Sequence, residues 1–327
     1  MDPNIKKYKL VKILDEDKLS TLYLVISTST QKLYTLRQQR VLQNKKDMKF
    51  STKCFEQEIN QFKLLDHPFI VKYVEAFKME CGTQKWRWFI VQEYTDDQTL
   101  YTNIILNKKA PAIPERQTIQ WLSQIILALQ EIIGANKAYP GMLILEKIVI
   151  STNENQKCFA RIRDLGIITN AQINVEKEEN KGAQKGKQLI QKEDLLIQQL
   201  GLLICDILLR SRFSDQIDRT KHLFDQFSQQ LIDQNIYVSQ DLKSLIHSLL
   251  TFKVQKETDF TWILDSHIIK PTFDQSHMAK FLGVAGQKYA LGIRLVAPLK
   301  CTRKASQLDQ LIQLRREATI SYLIYNW

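Results

Sequence analysis

Two residues stand out as candidates for acid–base or metal chemistry, and they lie far apart in the sequence. Asp164 opens the triplet Asp164-Leu165-Gly166, and His67 precedes Pro68. A histidine can act as a general base near neutral pH, but a lone histidine before a proline more often packs or forms a hydrogen bond. The triplet alone is typical of a turn that closes a strand. Whether Asp164 is functional therefore depends on the elements around it.

The cysteines are scattered without the spacing of a metal site. They form no Cys-x-x-Cys pair and no cluster with histidine, so we predict reduced thiols and no zinc site. The five cysteines are Cys54, Cys81, Cys158, Cys205 and Cys301.

A helix, a loop and a hairpin are predicted to position Asp164. Apolar residues recur at helical spacing from Trp121, which predicts an amphipathic helix, and Gly134 is predicted to end it. Two short apolar runs, 148–150 and 159–162, are separated by a polar stretch and predict a β-hairpin. Asp164 follows this hairpin directly.

This order of helix, loop, hairpin and Asp-Leu-Gly resembles the catalytic and magnesium loops of a eukaryotic protein kinase. In that family the loop carries a His-Arg-Asp triplet, then a lysine two residues on and an asparagine five residues after the aspartate. Aligned without gaps on the hairpin, these positions hold Pro140, Gly141, Met142, Ile144 and Lys147. The resemblance thus implies a catalytic loop that has lost the family's pattern.

The substitutions remove the chemistry that the resemblance would imply. The family's aspartate orients the substrate hydroxyl and accepts its proton, and Met142 can do neither at neutral pH. Where the asparagine would hold a second magnesium ion, Lys147 presents an ammonium that repels the metal. Asp164 survives as a possible magnesium ligand. We therefore predict no catalytic residue, no metal site and no cofactor.

The N-terminal hairpin resembles the glycine-rich loop of the family without its glycines. Two β-rich segments flank a polar turn between Tyr8 and Val25. Glycines let the backbone N–H groups of this loop approach nucleotide phosphates, but the three glycine positions hold Asp15, Asp17 and Ser20. With Glu16, three carboxylates would face three phosphates, so ATP binding of the usual kind is not expected.

The resemblance extends to an ion pair and to the hinge between two lobes. The third strand ends at Arg37, where the family has the lysine that contacts the phosphates; Arg37 keeps the charge but not the shape. Helical spacing places Glu58 beside an apolar face, so an Arg37–Glu58 ion pair is expected to hold the small lobe together without nucleotide. Two unrelated surface charges are the alternative. Gln92 and Glu93 fall at the gatekeeper and at the start of the hinge.

The remaining sequence resembles a kinase in part. The stretch 66–77 carries the most specific part of the resemblance and is similar to NIMA-related kinases. An apolar helix at 195–209 and later amphipathic helices match the large lobe of the family. Residues 170–192 contain no Pro-Glu anchor and no hydroxyl for activating phosphorylation. Their low-complexity composition, rich in Lys, Glu, Gln and Gly, predicts a mobile loop, with a charged docking segment as the alternative. The basic tail from Pro271 ends in a helix that packs back or binds a partner.

Composition and charge limit the class of protein. The 44% hydrophobic fraction is enough for a large core, and no signal peptide or membrane-spanning run is evident, so we expect a cytoplasmic protein. A net charge of +11 favours acidic partners, with a surface of scattered lysines as the alternative. Abundant Gln, Asn, Ile and Lys is a bias of AT-rich genomes, those of ciliates included.

Together, the residues and the resemblance predict an α+β, bilobal, protein-kinase-like fold. Residues 1–95 are expected to form a β-rich N-lobe, 96–270 a mostly helical C-lobe and 271–327 a basic extension. The implied protein is a pseudokinase, a scaffold or allosteric subunit whose partners are proteins, with tubulin or ciliary proteins as candidates in a cytoskeletal or ciliary assembly. ATP, nucleic acid and membranes are not expected partners. The alternatives are a weakly active serine/threonine kinase that binds ATP through Asp164 and Arg37, and a basic nucleic-acid-binding protein.

Overall fold

The computed structural model describes most of the chain up to Phe273. The described residues are 5–17, 19–42, 45–80, 86–95, 98–107, 112–136, 143–152, 158–165, 191–218, 222–252 and 260–273. They all belong to the first of the two units into which the chain divides, Met1–Phe273. Outside them lie Pro140, Gly141, Met142, Gly166, the predicted loop as far as residue 190, and the predicted extension after Phe273.

The N-terminal part is a five-stranded antiparallel sheet with one long helix. Its elements are β1 (Tyr8–Glu16), β2 (Ser20–Ser27), β3 (Leu33–Gln39), α1 (Lys45–Phe62), β4 (Tyr73–Glu80) and β5 (Trp86–Glu93), preceded by a 3₁₀ turn at Ile5–Lys7. The strand order β1-β2-β3-β5-β4 puts β3 in the centre. There Arg37 pairs with Leu22 on one side and with Ile90 on the other.

Helix α1 packs on this sheet with an apolar stripe. Phe55 and Ile59 are buried in one cluster with Leu19 and Ile90. Glu58 lies between them in sequence and is buried as well. The helix therefore carries a carboxylate into the interior.

The C-terminal part is mostly helical and surrounds a buried helix. Its elements are α2 (Glu115–Asn136), β6 (Ile148–Thr152), β7 (Cys158–Ile162), α3 (Gln191–Leu209), α4 (Phe213–Gln216), α5 (Leu223–Asp233), α6 (Gln240–Thr251) and α7 (Thr261–Leu264), with short turns of other helix types at Thr102–Leu106, Leu145–Lys147 and Lys270–Phe273. Helix α3 packs closely on α6. A Cβ at Gly201 would lie 2.9 Å from Leu250 Cδ2 and 3.1 Å from Leu249 Cβ.

The predicted α+β bilobal fold is confirmed, and the differences lie at the ends of elements. Both predicted hairpins are present. Asp15 and Glu16, expected in the turn, instead extend β1 because they pair with Leu22 and Thr21 of β2. The sequence predicts that α2 ends at Gly134, but the helix continues to Asn136, because this glycine does not take the left-handed backbone of a helix end.

None of the described helices is both long enough and apolar enough to span a membrane.

Candidate functional site

Four of the site residues that the sequence predicts come together between the sheet and the β6–β7 hairpin. Arg37 comes from β3, Glu58 from α1, Lys147 from the turn before β6, and Asp164 from the segment after β7. The Arg163 backbone N–H donates to the Lys147 carbonyl at 2.8 Å, which continues the pairing of the hairpin beyond its strands. This bond brings Lys147 and Asp164 to one end of the hairpin.

Arg37 and Glu58 form the ion pair that the sequence predicts. Arg37 Nη1 donates to Glu58 Oε1 at 2.9 Å, and both side chains are almost fully buried. Burial alone would lower the pKa of Arg37, but the carboxylates of Asp164 and Glu58 outweigh it and raise this pKa. Arg37 is therefore a permanent cation in the interior that joins β3 to α1.

Asp164 binds two cations through one oxygen. Its Oδ2 accepts a hydrogen bond from Arg37 Nη2 and another from Lys147 Nζ, the latter at 2.6 Å. Burial alone would raise the pKa of Asp164, but Arg37 and then Lys147 outweigh it and hold this pKa far below its usual range. Asp164 is thus a buried carboxylate that stays ionised and is neutralised from within the protein.

A magnesium ion does not fit this arrangement. Mg²⁺ binds oxygen ligands at about 2.0–2.1 Å in an octahedral shell, and at Asp164 it would meet the positive charges of Arg37 and Lys147. Within the described ranges, no group of three or more His, Cys, Asp or Glu side chains could hold a metal. The cations of the chain itself take the place beside Asp164 that a metal would need.

The turn between β1 and β2 is closed by its own carboxylate. Asp17 Oδ1 accepts from the backbone N–H groups of Leu19 at 2.7 Å and Ser20 at 2.6 Å, and Oδ2 accepts from Ser20 Oγ at 2.8 Å. Arg40 Nη1 donates to the Asp17 carbonyl at 2.8 Å. In a glycine-rich loop, backbone N–H groups of this kind bind a phosphate. Asp17 therefore supplies an internal anion where the sequence predicts repulsion alone.

Little space is left between this turn and the buried ions. A cavity of about 10 Å³ is lined by Asp15, Asp17, Ser20, Leu22, Arg37, Lys147 and Arg163. Such a volume holds about one water molecule. A triphosphate does not fit into it.

The predicted hinge residues join the sheet to the hairpin. Gln92 Nε2 donates to the Arg163 carbonyl at 3.0 Å in the interior. Glu93 Oε1 accepts from the Lys72 backbone N–H at 3.1 Å and from Arg161 Nη2. These contacts hold the two lobes together next to Asp164 without a ligand.

In the described part of the predicted catalytic loop, the charged side chains are engaged in ion pairs, Glu146 with Arg212 and Lys147 with Asp164. Ile144 has an extended backbone and leads into the 3₁₀ turn Leu145–Lys147, whose last N–H donates to the Ile144 carbonyl at 3.0 Å. The side chain of Ile144 is a hydrocarbon, and Lys147 forms an ion pair with Asp164. Pro140, Gly141 and Met142 lie outside the described residues.

Apolar packing is present on both sides of the buried ions. The rings of Phe62 and Tyr73 stack with their centroids 6.5 Å apart and their planes 12° apart. Leu165, beside Asp164, is buried. Phe62, Tyr73 and Leu165 thus contribute apolar contacts around the buried ion cluster.

Several contacts of the site are absent from the sequence-based prediction. That prediction treats Lys147 as a charge that repels metal rather than as a partner of Asp164; the two residues flank the predicted hairpin, and this spacing could have revealed the pair. Arg163 Nη2 donates to the Glu146 carbonyl at 2.9 Å, and Arg212 pairs with the Glu146 carboxylate. No local pattern marks these contacts, because Arg212 approaches from the segment between α3 and α4, which is distant in sequence from Glu146.

Comparison with known proteins supports the architecture described above. The model of the protein kinase domain family matches residues 8–268. Among solved structures, the chain is similar to a mutant of the PAN3 pseudokinase from Neurospora crassa, with a TM-score of 0.58 and 16% sequence identity; the match covers 90% of this chain and 70% of that chain. At this identity the likeness concerns the fold alone. No curated protein matches the sequence.

Proposed function

Since the chain belongs to the protein kinase domain family, we propose that it is a catalytically inactive member that serves as a protein-binding scaffold. The observation that carries this proposal is the pair of cations on Asp164 Oδ2. A kinase needs this carboxylate to hold the magnesium ion that bridges the nucleotide phosphates. Arg37 and Lys147 neutralise it instead, so the nucleotide loses its metal anchor.

Loss of the base supports the same conclusion. The sequence has Met142 where the family has the aspartate that accepts the proton of the substrate hydroxyl. A thioether cannot take up that proton at neutral pH. Even a nucleotide held by other contacts would therefore lack the group that activates its acceptor.

The contacts between the lobes support a scaffold. Arg37 joins β3, α1 and Asp164, and Gln92 bonds to the backbone of Arg163. These buried contacts need no ligand, so they favour one arrangement of the lobes. A surface held in one conformation loses less entropy when it binds a partner.

The proposal also covers the subfamily to which the chain is related and the chemistry of its partner. The stretch 66–77 supports a NIMA-related origin. The net charge of +11 supports an acidic partner, such as the tails of tubulin in a microtubule-associated or ciliary assembly.

Nucleotide binding provides the direct test. We expect ATP or ADP, with or without magnesium, to leave the thermal unfolding of the full chain unchanged. A ligand that bound at 100 times its Kd would add about 2.7 kcal/mol to the unfolding free energy, so binding would be detected. A magnesium-dependent rise in Tm would contradict the proposal. In the matched variant Asp17→Gly with Lys147→Asn, which lacks both the internal anion and the ammonium, such a rise would identify these two side chains as the barrier.

Phosphate transfer separates the proposal from a weakly active kinase. We expect no transfer of radiolabel from ATP to the chain or to a generic protein substrate. Transfer by the unaltered chain that disappears in an Asp164→Ala variant shown by its urea midpoint to be folded would favour the active kinase instead.

A further inference from the structure

The corner formed by helix α5, the turn that follows it and the start of α6 differs in charge from the rest of the protein. Between His222 and Phe252 the chain carries three aspartates, Asp225, Asp233 and Asp241, and one lysine, Lys243. The aspartates are exposed, whereas Lys243 is half-buried. A protein with a net charge of +11 thus presents an acidic surface here.

Two large apolar side chains project from the same corner. Ile232 is 72% exposed at the end of α5, and Tyr237 is 91% exposed in the turn that follows. Asp225, Gln229 and Ile232 are spaced by four and three residues, so they share one face of α5. This face leads directly to Tyr237.

The turn that presents Tyr237 is firmly held. The Ile236 N–H donates to the Leu231 carbonyl at 2.9 Å, and Asn235 adopts the left-handed backbone (φ 53°) that reverses the chain after a helix. On the other side, Val238 is buried and the Ser239 N–H donates to Glu115 Oε2 at 2.9 Å. The exposure of Tyr237 therefore comes from a fixed turn, so the backbone that carries its ring loses little further entropy on binding.

We propose that this corner, defined by Asp225, Gln229, Ile232, Asp233 and Tyr237, is a docking surface for a basic amphipathic helix of a partner protein. Carboxylates beside exposed apolar groups complement a helix that carries arginines beside leucines. Arginine also stacks on the face of a tyrosine ring, and tyrosine–arginine contacts are frequent among the residues that dominate binding energy. The predicted tubulin tails are acidic and would need a different surface.

This inference rests on the proposed protein-binding role, but its test can fail independently of the nucleotide test. The net positive charge makes the test discriminating. On global charge alone the protein should prefer an acidic peptide to a basic one, so preference for a basic peptide has to come from a local surface.

The experiment measures binding of the full chain to three synthetic amphipathic helices that share their leucine face and carry Arg, Lys or Glu on the polar face. We expect the arginine helix to bind most tightly, the lysine helix more weakly and the glutamate helix least. In Ile232→Ser with Tyr237→Ser, affinity for the arginine helix should fall at least about tenfold, as for loss of central interface residues. Asp225→Asn with Asp233→Asn should weaken it as well and reduce its dependence on salt.

Leu64→Ser provides the matched control, since Leu64 is exposed at the far end of α1, in the other lobe. It should leave the affinity unchanged within about twofold. Equal binding of the arginine and glutamate helices, or unchanged affinity in the Ile232/Tyr237 variant, would overturn the proposal. The altered side chains are exposed, so a matching urea midpoint verifies that each variant is folded.

Chemical nitration of Tyr237 in the protein alone tests for other occupants. We expect this tyrosine to react freely and to become protected when the arginine helix is added. Protection in the protein alone at every concentration would mean that the chain covers its own corner, and protection that grows with concentration would mean a second copy. Either result would overturn the proposal.

Discussion

Lys147 Nζ lies 2.6 Å from Asp164 Oδ2, and this contact joins the two ends of the β6–β7 hairpin. In the alignment expected from the sequence, the lysine falls where the kinase family has a metal-binding asparagine, and in the structure its ammonium contacts the Asp164 carboxylate. One substitution therefore both removes a ligand and neutralises its neighbour. Arg37 completes the arrangement by bonding to the same oxygen.

Because Asp164 balances two buried cations, we expect Asp164→Asn to destabilise the fold strongly. An amide cannot neutralise Arg37 and Lys147, and removing one member of a buried ion cluster costs about 3–5 kcal/mol. The free energy of unfolding from urea titration would measure this loss. In an active kinase the same residue serves the metal, so its replacement would affect activity rather than folding.

Asp47→Asn is the control for this prediction, since Asp47 is exposed in the first turn of α1. Its effect should stay within about 0.5 kcal/mol. If Asp164→Asn were as mild as this control, the ion cluster would not hold the lobes together.

The turn of β1 and β2 depends on the carboxylate of Asp17. In Asp17→Ala the N–H groups of Leu19 and Ser20 lose their acceptor, and we expect a loss of about 1 kcal/mol in unfolding free energy. Amide hydrogen exchange at Leu19 and Ser20 should become faster. Asp15→Ala, which removes an exposed carboxylate from the same hairpin, should change both quantities little.

The sequence was sufficient to predict the Arg37–Glu58 pair but not the Lys147–Asp164 pair, and the difference is physical. Helical periodicity fixes which face of α1 carries Glu58, and the alternation of side chains along β3 fixes the face that carries Arg37. The resemblance to kinases then implies that the two residues pair. The direction of Lys147 depends on the register of a hairpin and on hydrogen bonds beyond its strands. Such contacts form between residues that are distant in sequence and leave no periodic pattern.

The role of Asp17 could not be inferred from its charge. The prediction from the sequence is that three carboxylates repel phosphate. That prediction assumes that each side chain acts as a point charge in the cleft. In the structure Asp17 turns back on its own loop, as short acidic side chains do when backbone N–H groups lie two or three residues ahead. A preference for local bonding therefore decides what this residue does.

Asp206 should make stability depend on pH. Burial raises the pKa of Asp206 from 3.8 to about 6, although hydrogen bonds from Ser214 oppose this shift. Since the folded state holds the proton more tightly, the stability contributed by protonated Asp206 is full below about pH 4 and is lost as the pH rises through about 6. The rise of about two units corresponds to up to about 3 kcal/mol.

Urea unfolding from pH 4 to pH 8 tests this linkage. Asp206→Asn cannot ionise, so its unfolding free energy should fall less over this range than that of the unaltered protein. Asp47→Asn, which removes an exposed carboxylate from the other lobe, should keep the original pH dependence. Identical pH profiles for the Asp206 variant and the unaltered protein would contradict the assignment.

The two glycines within α2 and α3 should respond in opposite directions to alanine. A Cβ at Gly201 would lie 2.9 Å from Leu250 Cδ2 and 3.1 Å from Leu249 Cβ, so Gly201→Ala should force α3 and α6 apart and cost about 1–3 kcal/mol. At Gly134 nothing lies within 4 Å of such a Cβ, and alanine is the better helix former, so Gly134→Ala should add about 0.5–1 kcal/mol. Urea unfolding of both variants measures the two changes under one condition. If both substitutions stabilised the protein, α3 and α6 could separate without cost. If both destabilised it, α2 would need a glycine near its end.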